Sequence, residues 1–198
     1  MIDQRPGSRA AAALPGLHAP AAGFDAPFAL LDACHERVRR SLALLERLGA
    51  HLCAHGADAA ARGAAQDVLR YFGQAAPAHH EDEERHVLPL LQASGDAELQ
   101  ALARRLLDDH AGIRRAWSAL EAQLQALVAG APVEADSMLA AAADFVRAHD
   151  GHLEREDGLA FPAAARLLAA QPGPAQHLAA MGREMAARRG VAWPPAAG

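Results

Sequence analysis

The feature that most restricts the fold is a duplication. Residues 79–89 read His79-His80-Glu81-Asp82-Glu83-Glu84-Arg85-His86-Val87-Leu88-Pro89, and residues 152–162 read His152-Leu153-Glu154-Arg155-Glu156-Asp157-Gly158-Leu159-Ala160-Phe161-Pro162. Each copy is His-x-x-x-Glu, then an acid, an apolar pair and proline. A further match links two other segments, His35-x-x-Val38-Arg39-Arg40 and His110-x-x-Ile113-Arg114-Arg115. Residues four apart on a helix share a face, so His79/Glu83 and His152/Glu156 each set an imidazole beside a carboxylate. His35 lies three before Val38 and seven before Leu42, and His110 stands in the same relation to Ile113 and Trp117, which puts both histidines on apolar helical stripes. With 11 His and 11 Glu in 198 residues, a given His-Glu pair at a fixed offset arises by chance at roughly one in three hundred, before the second match is required.

The stretches around these motifs read as helices. Asp25 and Pro27 open one that keeps apolar spacing from Phe28 to Leu52 and stops at Gly56. A second begins near Asp58 and continues to about Leu91, with Pro77 expected to kink rather than end it. Asp96 opens a third, which closes at Gly130; the fourth starts around Pro132 to Asp136, runs through Phe145 and Val146, and reaches about Asp157 or a little beyond. A short helical remnant follows Pro162, and Pro174 to Arg189 forms an amphipathic tail helix. Hydrophobic residues are 52% of the chain but aromatics only 4%, a balance that favours closely packed helices over sheet. The expected fold is therefore all-α, an up-down-up-down four-helix bundle with a short C-terminal extra helix. Residues 1–24 are expected to be a disordered leader, 25–170 the bundle, and 171–198 a tail carrying the extra helix.

The charge pattern removes several function classes. All 19 basic residues are arginine, set against 24 acids for a net charge of −5, so no electrostatic footprint for nucleic acid is present. Cys34 and Cys53 lie outside any CxxC spacing and read as free thiols of a reduced, cytoplasmic protein. Pro15 and Pro20 interrupt the early apolar run, and no stretch approaches the ~20 apolar residues of a membrane span.

Four imidazoles and two carboxylates converging between helices make a nitrogen and oxygen donor set without thiolate. Such a set suits iron, with manganese or zinc as substitutes, and iron is favoured because bridging carboxylates can hold a redox pair. The expected metal ligands are His35, His79, His110 and His152 as terminal donors, with Glu83 and Glu156 as bridges. His80/Glu84 has the same spacing as His79/Glu83, but the second copy carries Leu153 where the first has His80, so only one register is shared. His80, Glu84, Glu154 and Asp157 then read as partners behind the ligands or as surface groups. His149 could approach from one turn before His152, Tyr71 and Trp117 read as core, and His18, His51, His55, His86 and His177 read as surface residues.

At these residues the sequence resembles the hemerythrin family, specifically the bacterial HHE cation-binding domains, over about residues 25–165. The resemblance implies a four-helix bundle around a non-haem di-iron site and transfers that expectation to the six residues above. Oxygen-carrying members place another histidine four residues after the first on the third helix, where this chain has Arg114. That departure argues against familiar reversible oxygen carriage, and the four-His, two-Glu set is similar to the branch implicated in repairing iron centres under nitrosative stress, which typically carries a separate cysteine-containing amino-terminal domain where this chain is expected to have a short proline-interrupted leader. The expected function is a di-iron protein that handles oxygen, nitric oxide or iron in sensing, storage or scavenging, more a small-ligand binder than a conventional enzyme. An iron-centre repair or redox factor is the first alternative, and a metal-free helical interaction protein with an unidentified protein partner is the second.

Overall fold

In a computed structural model of the chain, residues 22–193 are described. The expected leader therefore lies almost wholly outside them. Among the described residues all regular structure is helical. The first arm is α1 (Pro27–His55), with Pro27 in its opening turn where the missing N–H costs nothing. The second arm joins α2 (Ala59–Arg70), a π-helical turn (Tyr71–Ala75) and α3 (Ala76–His86), followed by α4 (Leu88–Gln92). Asp58 caps it by accepting from the Ala61 amide at 2.8 Å. The third arm is the single long helix α5 (Ala97–Val128), capped by Asp96, which accepts from the amides of Glu98 and Leu99. The fourth consists of α6 (Ala135–Ala148), α7 (His152–Arg155), a π-helical turn (Glu156–Ala160) and α8 (Phe161–Ala169), and α9 (Pro174–Arg188) follows.

The arms reveal their directions through the layers they cross. One apolar cluster holds Val38 and Leu45 from α1, Val68 and Phe72 from the second arm, Ile113 and Leu120 from α5, and Phe145 from α6. Another holds Leu30 and Leu31, Val87 and Leu88, Ala103 and Leu106, and Ala160 and Phe161. The first and third arms thus run from the second cluster, past His35 or His110, into the first cluster. The second and fourth arms run the opposite way, past His79/Glu83 or His152/Glu156. Alternating direction in four consecutive arms is the up-down-up-down topology. The motif residues occupy the layer between two dry cores.

Two local features differ from the periodic reading. The kink expected at Pro77 takes the form of a wider turn: the Ala76 amide bonds to the Tyr71 carbonyl, which accommodates a proline ring that would otherwise press on the carbonyl four residues back. The fourth arm is not continuous to Asp157 as expected. It stops at Ala148 and restarts at His152, because Gly151 adopts φ 66°, a left-handed conformation that glycine enters without penalty. Apolar spacing continues across the break, so periodicity alone does not register it.

The extra helix is integral to this assembly. Met181, Met185 and Ala186 of α9 are buried, the two methionines within the second cluster. Arg188 Nε donates to Asp82 Oδ1 at 2.7 Å, and Arg189 Nη1 lies 2.7 Å from Asp82 Oδ2. Asp82 is fully buried and immediately precedes Glu83. No helix among the described residues is long and apolar enough to cross a membrane.

Candidate metal centre

The six side chains singled out by the duplication meet in the middle layer. His35, Glu83, His110, His152 and Glu156 have no exposed surface, and His79 has 1%. Glu83 directs Oε1 to His79 Nε2 at 3.0 Å and His35 Nε2 at 3.5 Å, while its Oε2 lies 3.6 Å from His110 Nε2. Glu156 directs Oε2 to His35 Nε2 and His152 Nε2, both at 3.2 Å, and Oε1 to His110 Nε2 at 3.5 Å. Each carboxylate therefore turns one oxygen toward His35 and the other toward His110. That is the disposition a bridging carboxylate needs.

Burying so many polar groups is costly unless something satisfies them. Both oxygens of Glu83 and of Glu156 lack hydrogen-bond partners, as do both ring nitrogens of His79 and His152 and the Nε2 atoms of His35 and His110. The Nε2 atoms and carboxylate oxygens among them face one another at 3.0 to 3.6 Å. Metal–donor bonds of ~2.1 Å at right angles separate adjacent donors by roughly 3.0 Å, so the spacing fits ligands arranged around cations. Three triads have donor atoms within 4.8 Å of one another: His35/His79/Glu83, His80/His110/His152 and Glu83/His110/Glu156.

His80 is the residue that sequence reasoning left out. Read above as a supporting or surface group, it is only 8% exposed and stacks on His110 with ring centroids 4.3 Å apart. Its counterpart in the second copy, Leu153, is also buried, packed in the first cluster. The two copies thus share an inward position but fill it differently, with a ligand-type side chain in one and an aliphatic one in the other. The adjacent pair His79-His80 was the available signal. His149 is buried but turns away: its Nδ1–H donates to the Phe145 carbonyl at 2.9 Å. Tyr71 donates its hydroxyl to the Cys34 carbonyl at 3.2 Å. His51 is half-buried against Asp58, His55 and His177 are exposed, and His18 lies outside the described residues.

The rest of the repeat orients these ligands. His35 Nδ1–H donates to Asp157 Oδ1 at 2.6 Å, and Asp157 Oδ2 accepts from Arg39 at 2.5 Å. His110 Nδ1–H donates to Glu84 Oε1 at 2.9 Å, and the same oxygen accepts from Arg114 at 2.8 Å. The arginine four residues after each histidine therefore grips the acid that follows the glutamate of the opposite hairpin. A proton held on Nδ1 leaves the Nε2 lone pair directed inward, the tautomer a metal-ligating histidine requires. Behind His152, Asp109 Oδ2 lies 3.8 Å from Nδ1 and is held by Arg155 at 2.7 Å.

The electrostatics of the metal-free cluster express the same crowding. Burial, reinforced by the charge of Glu156, raises the Glu83 carboxyl to about 8. Burial would lower His35, but the carboxylates of Glu156 and Glu83 facing its Nε2 at 3.2 and 3.5 Å prevail and lift it to about 11. Burial drives His79 and His80 well below the usual histidine range, so they stay neutral donors. Burial also pushes the Cys34 thiol up, away from the thiolate form that would bind metal.

A helical bundle with imidazoles and carboxylates gathered between its arms belongs to the class of helical cation-binding domains. The comparisons specify which. Residues 26–164 match the model of the hemerythrin HHE cation binding domain, and the chain belongs to that family. It is also 32% identical over 170 residues to an uncharacterized protein of Haemophilus influenzae, covering 86% of this chain and 94% of that protein. The family match ends before α9 begins.

Proposed function

We propose that the chain is a non-haem di-iron protein that handles a small diatomic ligand, oxygen or nitric oxide, or iron itself. The observation that carries this reading is the pair of buried carboxylates, each with one oxygen toward His35 and the other toward His110. His35 and His79 would supply nitrogen donors to one metal, and His80, His110 and His152 to the other, with Glu83 and Glu156 shared between them. Bound iron would supply one-electron redox chemistry and an open position for a small ligand. The protein's own contribution is to hold the His35 and His110 imidazoles in one tautomer, exclude water with two apolar layers, and balance cationic charge with two carboxylates. An all nitrogen and oxygen donor set supports iron or manganese over softer metals.

Anaerobic loading of the full chain with ferrous iron, followed by absorption spectra before and after oxygen or nitric oxide, tests the proposal. Charge-transfer bands that develop on gas addition, and that are absent in Glu156→Ala, are expected. A chain that loads iron but shows no spectral response to either gas would contradict small-ligand handling. Ready transfer of that iron to an apo acceptor would then favour storage or repair.

A further inference from the structure

Beside His80 the bundle carries a half-open pocket of about 290 Å³ that the diatomic reading does not account for. Trp117 is the partly exposed ring in its wall, and the almost wholly buried Phe72 and Phe145 brace it from behind, the three centroids lying 4.8 to 5.5 Å apart. Ile113 and Ala76 complete the apolar lining, and exposed Pro77 marks where the pocket reaches solvent. His80 lines it too, so the pocket adjoins the candidate centre through the most exposed of the candidate ligands.

Size and polarity together define the occupant. A dry cavity of ~150 Å³ already admits benzene, and a water takes up about 30 Å³. A diatomic molecule would fill only a small part of this space. The charged groups lining the pocket are already committed: Glu84 to His110 and Arg114, and Glu81 to Arg85 and Arg188. Neither an anion nor a cation would find a free counter-charge there. We infer that the pocket is a binding site for a small neutral molecule of one or two aromatic rings, held against Trp117 of the Phe72/Trp117/Phe145 cluster beside His80. The pocket stands on its own geometry; only its adjacency to iron rests on the function proposed above.

The test uses fluorine NMR of 1-fluoronaphthalene, with 4-fluorobenzoate as the charged comparison. In the metal-free full chain, the neutral probe should show saturable broadening and NOEs to the Trp117 indole but not to that of Trp193. Binding of 4-fluorobenzoate should be at least tenfold weaker, and Ala76→Leu, which adds bulk to the lining, should weaken the neutral probe by a similar factor. If that variant does not fold, the Trp117 NOEs in the unmodified chain decide the location. In the iron-loaded chain the bound probe should gain paramagnetic broadening. No binding, equal binding of the anion, or NOEs elsewhere would each overturn the inference, whereas an unbroadened probe in protein loaded with ferrous iron would overturn only the adjacency to iron. Failure to take up iron would contradict the proposed function alone, because binding to the metal-free chain is measured separately.

Discussion

Among the described acids, Glu83 and Glu156 alone are fully buried with neither carboxylate oxygen accepting a hydrogen bond. If they are shared metal ligands, Glu83→Gln should reduce bound iron by half or more, as should Glu156→Gln. His80→Ala should lose iron from one position, whereas His55→Ala, on the surface, should leave the content unchanged; iron analysis of purified chains distinguishes these outcomes. The orienting acids act less directly. Asp157→Asn removes the fixed charge behind His35 and should weaken metal affinity about 10- to 100-fold, as measured by chelator competition. Glu84 also predicts an acid response. Its hydrogen bonds with His110 and Arg114 lower its carboxyl to about 2, so its stabilising contribution is present above the unfolded value near 4.5 and is lost as pH falls through about 2. The stability gap between the native chain and Glu84→Gln, followed by chemical denaturation, should therefore shrink on acidification from about pH 5 to pH 2.

At the scale of elements, α9 is a strut with its own charge chemistry. Asp82 is sealed in the bundle and answered by Arg188 and Arg189 across more than 100 residues of sequence. Replacing both arginines with alanine leaves a buried carboxylate unpaired, which typically costs ~3 to 5 kcal/mol; thermal unfolding should show a large drop, and a change within error would mean that Asp82 is solvated by another route. A Cβ at Gly182 would collide with the Phe24 carbonyl oxygen, so Gly182→Ala should displace either α9 or the chain entering α1. These dependencies were not legible in the sequence. The amphipathic pattern announces that α9 has a partner, but the Arg188–Asp82 contact is set by three-dimensional proximity alone. The break at Gly151 was hidden for a different reason: glycine is permitted in a left-handed turn but does not require one.

For the whole molecule, the duplication made both the bundle and the middle layer readable. Four arms with one histidine each, two of them adding a glutamate at helical spacing, can bring those groups together only if the arms alternate direction. That same logic concealed His80, because a symmetric repeat gives no weight to a residue whose counterpart is Leu153. It also left the roles of Asp157 and Glu84 open, since their histidine partners belong to the opposite hairpin. In physical terms, the sequence encodes which faces are apolar, whereas the crosswise hydrogen bonds emerge only after two hairpins have packed. The middle layer should then make the fold depend on metal: chelation should lower the melting temperature of loaded protein, because mass action favours the state that binds the ion.

Whether Glu83 and Glu156 join two metals is read most directly from iron K-edge X-ray absorption on the loaded full chain. A nitrogen and oxygen shell with histidine scattering, together with an iron–iron distance of about 3.5 to 4 Å that disappears in Glu83→Gln, is the predicted result. A sulfur-containing shell, or isolated iron with no metal–metal scattering in the unmodified chain, would contradict it.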